Sequence, residues 1–472
     1  RNYARNDAQA MRRRLRTERP ECGGDEHLDA LNAIETRVKL PVALAVLGSL
    51  LWILMATATV IESDTYRYAT VLLTLIGGYY SYTRLSFVRM HWAGWLCIAW
   101  TLYAVARFLL LIYSSPDRQR GASEWLYFLP LFFPFLGAAL VVYRPYVSRI
   151  LAGYFVLALI FLLILTDYRG ILSGEPVTPM IQHNRIHGAV ACGFMLIGAF
   201  FWMMHNLCHH AWSDWRLRLS VTCTPPIVLL SLLNIFGSKS KGVWMAMAIT
   251  LPLIYLLAHG YMRARFIRVL GAAMAICLVA GIALFWGNIA QTAGPTINAI
   301  GATVQELSNS GDVSSAVHDA IRSEDTPLSM NERMQLWTNA WEIFRTSPVF
   351  GQGNDWLESW QKTEYANVGY TLLHNGYLEI LVRHGLFGLT VFALLLAVFV
   401  DAIRRARRLG LMSLQAAHAY YASIAYFCLT LLSNSNNRLA IGESFFMIVA
   451  AIAFHCLILI EIQEKGWPEE KA

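Results

Sequence analysis

One histidine stands where a polar segment gives way to a long apolar one. His374 opens the run HNGYLE (374–379), and the apolar residues that follow are typical of a helix. The positive end of a helix dipole disfavours an imidazolium ion, so we expect His374 to be neutral near pH 7 and able to accept a proton. The same helix start, with Asn375, can attract an anion. The alternative is a histidine that merely caps the helix.

Two lysines, Lys239 and Lys241, lie in the short link GSKSKG (237–242) between two apolar segments. A bound anion would account for two cations in so short a link. Alternatively, both side chains extend along apolar surface and place their ammonium groups in water.

Three arginines are further candidates for holding negative charge. Arg333 lies in a long polar stretch, Arg185 lies in QHNRIHG (182–188), and Arg107 stands inside an apolar segment. An ionisable residue inside such a segment indicates a function unless it pairs within the protein or reaches the segment's end. For Arg333 and Arg185, the alternative is an ordinary solvated charge.

A neutral histidine together with several cations suits one type of chemistry. Arginine and lysine bind phosphate and pyrophosphate, and a neutral histidine can take the proton of a hydroxyl. Asp355 and Glu358 are too weak a pair to predict a metal site. The sequence has neither a P-loop nor a G-x-S-x-G motif, and the run GQG at 351–353 indicates a turn.

The composition places these residues in a membrane protein. Of the 472 residues, 56% are hydrophobic and 15% are charged, whereas soluble domains carry about 25% charged residues. Charges are costly inside a bilayer, which explains the deficit. The net charge of +7 does not indicate binding to nucleic acid, because the cations form short clusters between apolar stretches.

Twelve apolar stretches approach the length that a helix needs to cross a membrane. We therefore predict an all-α integral membrane protein of about twelve transmembrane helices. The predicted spans are 40–61, 68–83, 92–113, 126–143, 150–166, 188–207, 219–236, 243–260, 269–286, 376–400, 416–433 and 440–461. The stretch between spans nine and ten is too long for a simple connector, so we expect a large, partly helical loop there.

Clusters of arginine give the orientation of these spans. They recur in alternate loops, which the positive-inside rule assigns to the cytoplasm. The clusters are Arg12–Arg14, Arg84 with Arg89, Arg144 with Arg149, Arg216 with Arg218, Arg263 with Arg265 and Arg268, and Arg404, Arg405, Arg407 and Arg408. We thus predict cytoplasmic tails at 1–39 and 462–472, spans one to nine within 40–286, an outer loop at 287–373 and spans ten to twelve within 374–461.

Part of the outer loop has a helical pattern. Ser329 with Glu332 fits a capping box. The apolar residues that follow at helical spacing are Met334, Trp337, Trp341 and Phe344. This pattern predicts an amphipathic helix that lies on the membrane surface or covers a cavity.

Several runs, taken in order, resemble the O-antigen ligase / O-antigen polymerase superfamily. They are Arg185-Ile186-His187-Gly188, Ser240-Lys241-Gly242, Arg333-x3-Trp337-x3-Trp341, Ser347-Pro348-x2-Gly351-x-Gly353, HNGYLE at 374–379 and Gly385-Leu386-Phe387-Gly388. The resemblance covers about residues 185–388, and the plan of twelve spans with a large loop after the ninth extends it over the chain. One position departs from it: Lys241 stands where the family usually has arginine, which keeps the charge but loses the bidentate fork.

The resemblance implies a GT-C-like fold in the bacterial inner membrane, with the active site on the periplasmic face. It implies an inverting glycosyl transfer, independent of metals and cofactors, from a glycan on undecaprenyl diphosphate to a sugar hydroxyl of lipid A–core. His374 would be the general base, and Arg333 would offset the charge of the leaving group. The further residues implied to bind the diphosphate are Lys241, Lys239, Arg185 and Asn375.

Two alternative functions stay open. A polymerase would use the same motifs and take a second lipid-linked repeat unit as its acceptor. A secondary transporter with twelve spans predicts two similar halves, whereas the sequence shows no internal repeat and its long interruption follows span nine. In all three cases the expected partners include membrane lipids and exclude nucleic acid.

Overall fold

The computed structural model describes residues 40–114, 124–259, 264–369 and 371–465, and they are largely helical. The helices are α1 (Val42–Ala56), α2 (Thr65–Thr83), α3 (Trp92–Ser114), α4 (Phe133–Tyr143), α5 (Val147–Leu165), α6 (Tyr168–Ser173), α7 (Arg185–His209), α8 (Trp215–Gly237), α9 (Lys241–His259), α10 (Ala264–Ser310), α11 (Val313–Arg322), α12 (Leu328–Thr346), α13 (Trp356–Trp360), α14 (Gly376–Arg408), α15 (Leu414–Leu431) and α16 (Ala440–Lys465). Within the described ranges no β-strand forms, and one isolated bridge joins Ile61 to Ile181.

Eight helical segments in the described part of the chain are long and apolar enough to cross a membrane. They are Val42–Thr59, Trp92–Tyr113, Leu126–Leu165, Arg185–His209, Trp215–Gly237, Lys241–His259, Gly376–Arg408 and Ala440–Lys465. The chain is therefore an α-helical, multi-pass membrane protein, as its composition predicts.

The predicted spans fall on helices, but their number, twelve, stays a prediction. The segment Leu126–Leu165 contains two predicted spans, which a 3-10 turn at Arg144–Tyr146 separates. Helices α2 and α15 occupy the predicted spans 68–83 and 416–433, although neither is among the eight segments.

Two helices continue past the boundaries that the sequence predicts. Helix α10 contains the predicted ninth span and runs on to Ser310, so the predicted start of the outer loop at 287 lies inside a helix. Helix α16 extends to Lys465 rather than ending at 461. The predicted tail 1–39 and residues 466–472 lie outside the described residues.

Small residues allow the membrane helices to pack closely. A Cβ added at Gly137 of α4 would collide with Phe454 of α16, and one added at Gly77 of α2 would collide with the carbonyl of Phe135. Lipid chains are as apolar as the helices, so close packing of this kind is a main source of stability inside the membrane.

Helix α12 is the amphipathic helix predicted in the outer loop, but its start differs from the prediction. It begins at Leu328, after Pro327, and no side-chain hydrogen bond caps it. The predicted capping box of Ser329 with Glu332 is therefore wrong. The Pro327 carbonyl instead accepts the amides of Met330 and Asn331, so the helix begins before Ser329 could act as its cap.

The buried stripe of α12 packs on the beginning of α14. Leu336, Ala340 and Ile343 form a small core with Trp360 and Val382. Trp341, which the helical pattern assigns to the apolar face, is 53% exposed. Met334 and Phe344 of the predicted face are buried, so the helix covers the first turns of α14 with a face that overlaps the predicted one.

Helix α14 has a break at Gly385, where φ is 61° and ψ is −159°. The chain on either side is helical, and the turn after α12 fills the break. The amides of Leu386 and Phe387 donate to the carbonyls of Pro348 and Val349, each at 2.9 Å. The amide of Gln352 donates to the Val382 carbonyl at 2.8 Å. Backbone groups freed by the break are therefore paired, which irregular backbone at membrane depth requires.

We expect Gly385→Ala to destabilise the protein by about 3 kcal/mol or more. The backbone conformation at Gly385 is accessible almost only to glycine, and a Cβ there would collide with the Val349 carbonyl. Thermal unfolding in detergent measures the effect. Gly301→Ala is the matched control, because a Cβ at this helical glycine meets nothing within 4 Å. Equal melting temperatures for the two variants would contradict the prediction.

Candidate functional site

His374 contacts the segment between α15 and α16. Its Nδ1 lies 3.1 Å from Oδ1 of Asn434, and Nδ2 of Asn434 donates to Oδ1 of Asn436 at 2.6 Å. In this orientation of the Asn434 amide, its oxygen faces the imidazole, which suits the tautomer with the proton on Nδ1. The basic lone pair of the neutral ring is then on Nε2.

The surroundings of His374 favour its neutral form. Burial lowers the pKa of His374 below its ordinary value, and the nearby Arg333 lowers it further. The hydrogen bond with Asn434 and the carboxylates of Glu379 and Glu332 raise the pKa without reversing the shift. The sequence predicts a neutral imidazole from the helix dipole, whereas here burial is the largest cause.

Asn375, the residue after His374, is the N-cap of α14. Its Oδ1 accepts the amides of Tyr377 and Leu378, so it caps α14. The backbone N–H of Asn375 donates to Oγ of Ser435 at 3.2 Å. His374 just before it has a left-handed backbone, with φ of 49°. The contact of Asn375 with a diphosphate stays a prediction.

Glu379 forms hydrogen bonds with residues next to both His374 and Asn434. This buried carboxylate accepts the amide of Leu373 at 3.3 Å and the hydroxyl of Ser435 at 3.2 Å. It also accepts two hydrogen bonds from Nη1 of Arg438, at 2.9 and 3.0 Å. Glu379 thus fixes the residue before His374 and the residue after Asn434.

A buried ion network extends from Glu379 into the bundle. Arg383, one helical turn further along α14, lies 3.5 Å from Glu379 and pairs with Glu124. Its guanidinium carbon lies 5.0 Å from the ring centroid of Trp356. With Arg438, the network contains two carboxylates and two guanidinium groups, so its formal charges balance. Removing one partner of such a buried network leaves an uncompensated charge, which is strongly destabilising.

Three of the predicted cations interact electrostatically with one another, and one of them, Arg333, also acts on His374. Lys241, at the start of α9, interacts electrostatically with Arg333 of α12 and with Arg185 at the start of α7. Arg333 also acts electrostatically on His374. These residues are distant in sequence and lie on four different elements, so the fold assembles them. Like charges placed together repel one another, and a bound anion would compensate for this repulsion.

Of the two lysines in the link between α8 and α9, Lys241 is the one that interacts electrostatically with Arg333 and Arg185. Its Nζ donates to Oγ1 of Thr296 at 2.6 Å, on the part of α10 that the sequence assigns to a loop. Lys239 lies in the turn with a left-handed backbone, at φ of 50°. The geometry therefore favours Lys241 over Lys239 in the role implied for the family's arginine.

Arg107 attaches the turn after α12 to the membrane bundle. Its guanidinium donates to the carbonyls of Phe350 and Gly351, the latter at 2.6 Å, and to the hydroxyl of Tyr103 at 2.7 Å. Of the two alternatives that the sequence leaves for Arg107, the structure supports pairing within the protein. The turn needs Gly351, where φ is 64° and a Cβ would meet the backbone of Arg383 at 2.5 Å.

Sequence reasoning missed the polar segment between α15 and α16. Ser433 to Asn437 read SNSNN between two apolar helices, and Asn434 to Asn437 are buried. Buried amides must find hydrogen-bond partners, so such a run predicts a polar contact with another element. Within the part of the chain that the structure describes, no group of three or more His, Cys, Asp or Glu residues could hold a metal ion.

Comparison with known protein families gives an independent result. The family model described as O-antigen ligase (Wzy_C) matches residues 226–393. That range includes Lys239, Lys241, Arg333, His374 and Asn375, while Arg185 and the Asn434 segment lie outside it. No curated protein matches the chain. The match supports a transferase of the O-antigen ligase or polymerase type, and it confirms that this chain resembles the O-antigen ligase superfamily.

Proposed function

We propose that the protein transfers a glycan from undecaprenyl diphosphate to a sugar hydroxyl of lipid A–core, at the periplasmic face of the bacterial inner membrane. One observation carries the proposal. His374, whose neutral form is favoured by burial, interacts electrostatically with Arg333, and Lys241 interacts electrostatically with both Arg333 and Arg185. A base beside a group of cations suits the attack of a hydroxyl on a sugar diphosphate. The same arrangement and the family match favour transfer over transport.

In the proposed reaction, Nε2 of His374 takes the proton of the acceptor hydroxyl as its oxygen attacks the anomeric carbon of the donor sugar. The bond between that carbon and the diphosphate oxygen breaks, and the diphosphate leaves with the electron pair. Attack opposite to the leaving group inverts the anomeric configuration. His374 then returns its proton to solvent or to the departing diphosphate.

The cations offset the charge that develops on the leaving group. Arg333 can bind a phosphate with two parallel hydrogen bonds, while Lys241 acts as a point charge. Arg185 adds a third positive charge close to Lys241. Fixed cations aimed at the leaving group can supply the stabilisation that a divalent metal gives in other phosphate chemistry.

A reconstituted assay tests the reaction and the acceptor together. The full chain in liposomes would receive lipid-linked repeat units, with and without lipid A–core. We expect glycan on lipid A–core and no reaction in its absence. Longer lipid-linked glycans formed without lipid A–core would show a polymerase instead, and no covalent product in either case would contradict a transferase.

A chelator added to the same assay tests the role given to the cations. We expect the rate to be unchanged by EDTA, within about two-fold, because protein side chains neutralise the diphosphate. Loss of transfer with EDTA, followed by recovery when a divalent metal is added in excess, would overturn this part of the proposal.

Asn434 is a positioning residue in this scheme, and we expect its replacement to change the pH dependence of the transfer rate. The acid limb of the rate profile should lie below pH 6.5, because His374 acts when neutral and its pKa is lowered. Removing the Asn434 hydrogen bond in Asn434→Leu lowers that pKa further, so the limb should move to lower pH. The rate at pH 7 should fall about ten-fold, because the free energy of one hydrogen bond that orients the imidazole is lost.

The conservative variant Asn434→Asp gives the opposite sign. A carboxylate still accepts the proton of Nδ1 and stabilises the imidazolium, so the acid limb should move to higher pH. Rate profiles measured from pH 4.5 to 8 in the reconstituted assay distinguish the two variants. A shift in the same direction for both, or no shift, would show that Asn434 does not act through His374.

A further inference from the structure

A cavity of about 590 Å³ opens between α2, α4 and the second half of α16. It lies far from His374 along the bundle. Helix α16 begins just after the Asn434–Asn437 segment, and the cavity is lined by its last turns, from Phe454 to Lys465. The orientation predicted from the arginine clusters places this end at the cytoplasmic face.

The cavity is apolar at one end and charged at the other. Phe454, Leu457 and Phe135 line its inner part, while Glu461, Lys465 and Arg89 line its outer part. From Phe454 to Lys465, α16 rises about 16 Å. This length is about half the thickness of the hydrocarbon core of a bilayer. The cavity therefore has the length and polarity of one phospholipid chain with its head group in a single leaflet.

The charges at the outer end favour an anionic head group. Lys465 pairs with Glu461, and Arg405 nearby pairs with Glu464. Arg89 is exposed, and no carboxylate among the described residues forms an ion pair with it. Among the described residues that line the opening, Glu461 and Lys465 cancel in charge, so Arg89 leaves one net positive charge. Basic pockets between transmembrane helices on the cytoplasmic side suit anionic lipid head groups.

We propose that this cavity binds one anionic phospholipid of the cytoplasmic leaflet. An acyl chain lies against Phe135 and Leu457, and the phosphate contacts Arg89. The lipid fills space that would otherwise leave the surrounding side chains without contacts. The site is separate from the proposed transfer reaction and does not depend on it.

Native mass spectrometry of the purified, delipidated full chain tests the proposal. The probes are phosphatidylglycerol and phosphatidylcholine with identical acyl chains. We expect one phosphatidylglycerol to be retained with at least about five-fold preference, the effect of one basic residue near a head group. Arg89→Gln should remove the preference. The matched control is Arg84→Gln, which replaces another exposed arginine, at the end of α2, that does not line the cavity; it should keep the preference.

A second variant tests the position of the acyl chain. Ile458→Trp places a larger ring in the cavity and should reduce retention of both lipids at least about five-fold. Its melting temperature should no longer rise when phosphatidylglycerol is added, whereas that of the unchanged protein should rise. If Ile458→Trp does not fold, the comparison of Arg84→Gln with Arg89→Gln tests the proposal by itself. Equal retention of the two lipids, or equal effects of Arg84→Gln and Arg89→Gln, would overturn the proposal.

Discussion

Replacing His374 should lower the rate of glycan transfer by about 10²- to 10⁴-fold, the range expected for loss of a general base. The residue has a left-handed backbone, with φ of 49°, so alanine there would add backbone strain to the loss of the imidazole. Asparagine tolerates this conformation. We therefore expect His374→Asn to be as inactive as His374→Ala, while its melting temperature stays close to that of the unchanged protein.

His183→Ala is the matched control for the loss of a histidine. His183 lies on the same predicted face of the membrane, and its side chain is 79% exposed while pairing with Glu62. We expect the rate of this variant to stay within about two-fold of the unchanged protein, since the proposed reaction does not use this exposed side chain. Transfer at a normal rate by folded His374→Asn would show that another group accepts the proton.

Arg333→Ala should lower the rate by about 10²- to 10³-fold, the cost of removing one preorganised group that stabilises developing charge. Arg333 also lowers the pKa of His374, so its removal should move the acid limb of the rate profile to higher pH. Arg333→Lys keeps the charge but loses the bidentate geometry, and we expect a smaller loss, of about ten-fold.

The control for Arg333 lies on the same helix. Arg345 is exposed near the end of α12, and Arg345→Ala should leave both the rate and its pH dependence unchanged. Initial rates measured at saturating donor in the reconstituted assay give the comparison. If Arg333→Ala and Arg345→Ala behave alike, the positive charge of α12 acts only through the general field of the protein and not on the leaving group.

The sequence predicts much of this fold because the bilayer imposes simple rules on it. Apolar length predicts the long helices, and the polar-to-apolar change at His374 predicts the start of α14 within two residues. Helical spacing also predicts α12. The buried face of α12 depends on its contact with Trp360 and Val382. The sequence pattern of a single helix does not show which residues make that contact.

Other features depend on contacts between distant segments. Asn434 is 60 residues from His374, and only the packing of α14 against α15 and α16 places the two side chains together. The sequence does not predict the extension of α10 beyond residue 286 to Ser310, for another reason. Its polar residues suggest a loop outside the membrane, although a helix can continue into water when tertiary contacts such as Lys241–Thr296 support it.

The break at Gly385 determines how this protein can be recombined with its homologues. Glu379, Arg383 and the Val382 carbonyl connect residues 376–384 to their partners outside α14, and the backbone amides of Leu386 and Phe387 bond to the turn after α12. From Val391 to Ala406 the helix packs in the membrane bundle. In a chimera whose junction lies just before His374, the histidine and the turn that contacts its helix would come from different parents. A crossover after Gly385 keeps them together, provided that the segment 433–438 comes from the same parent.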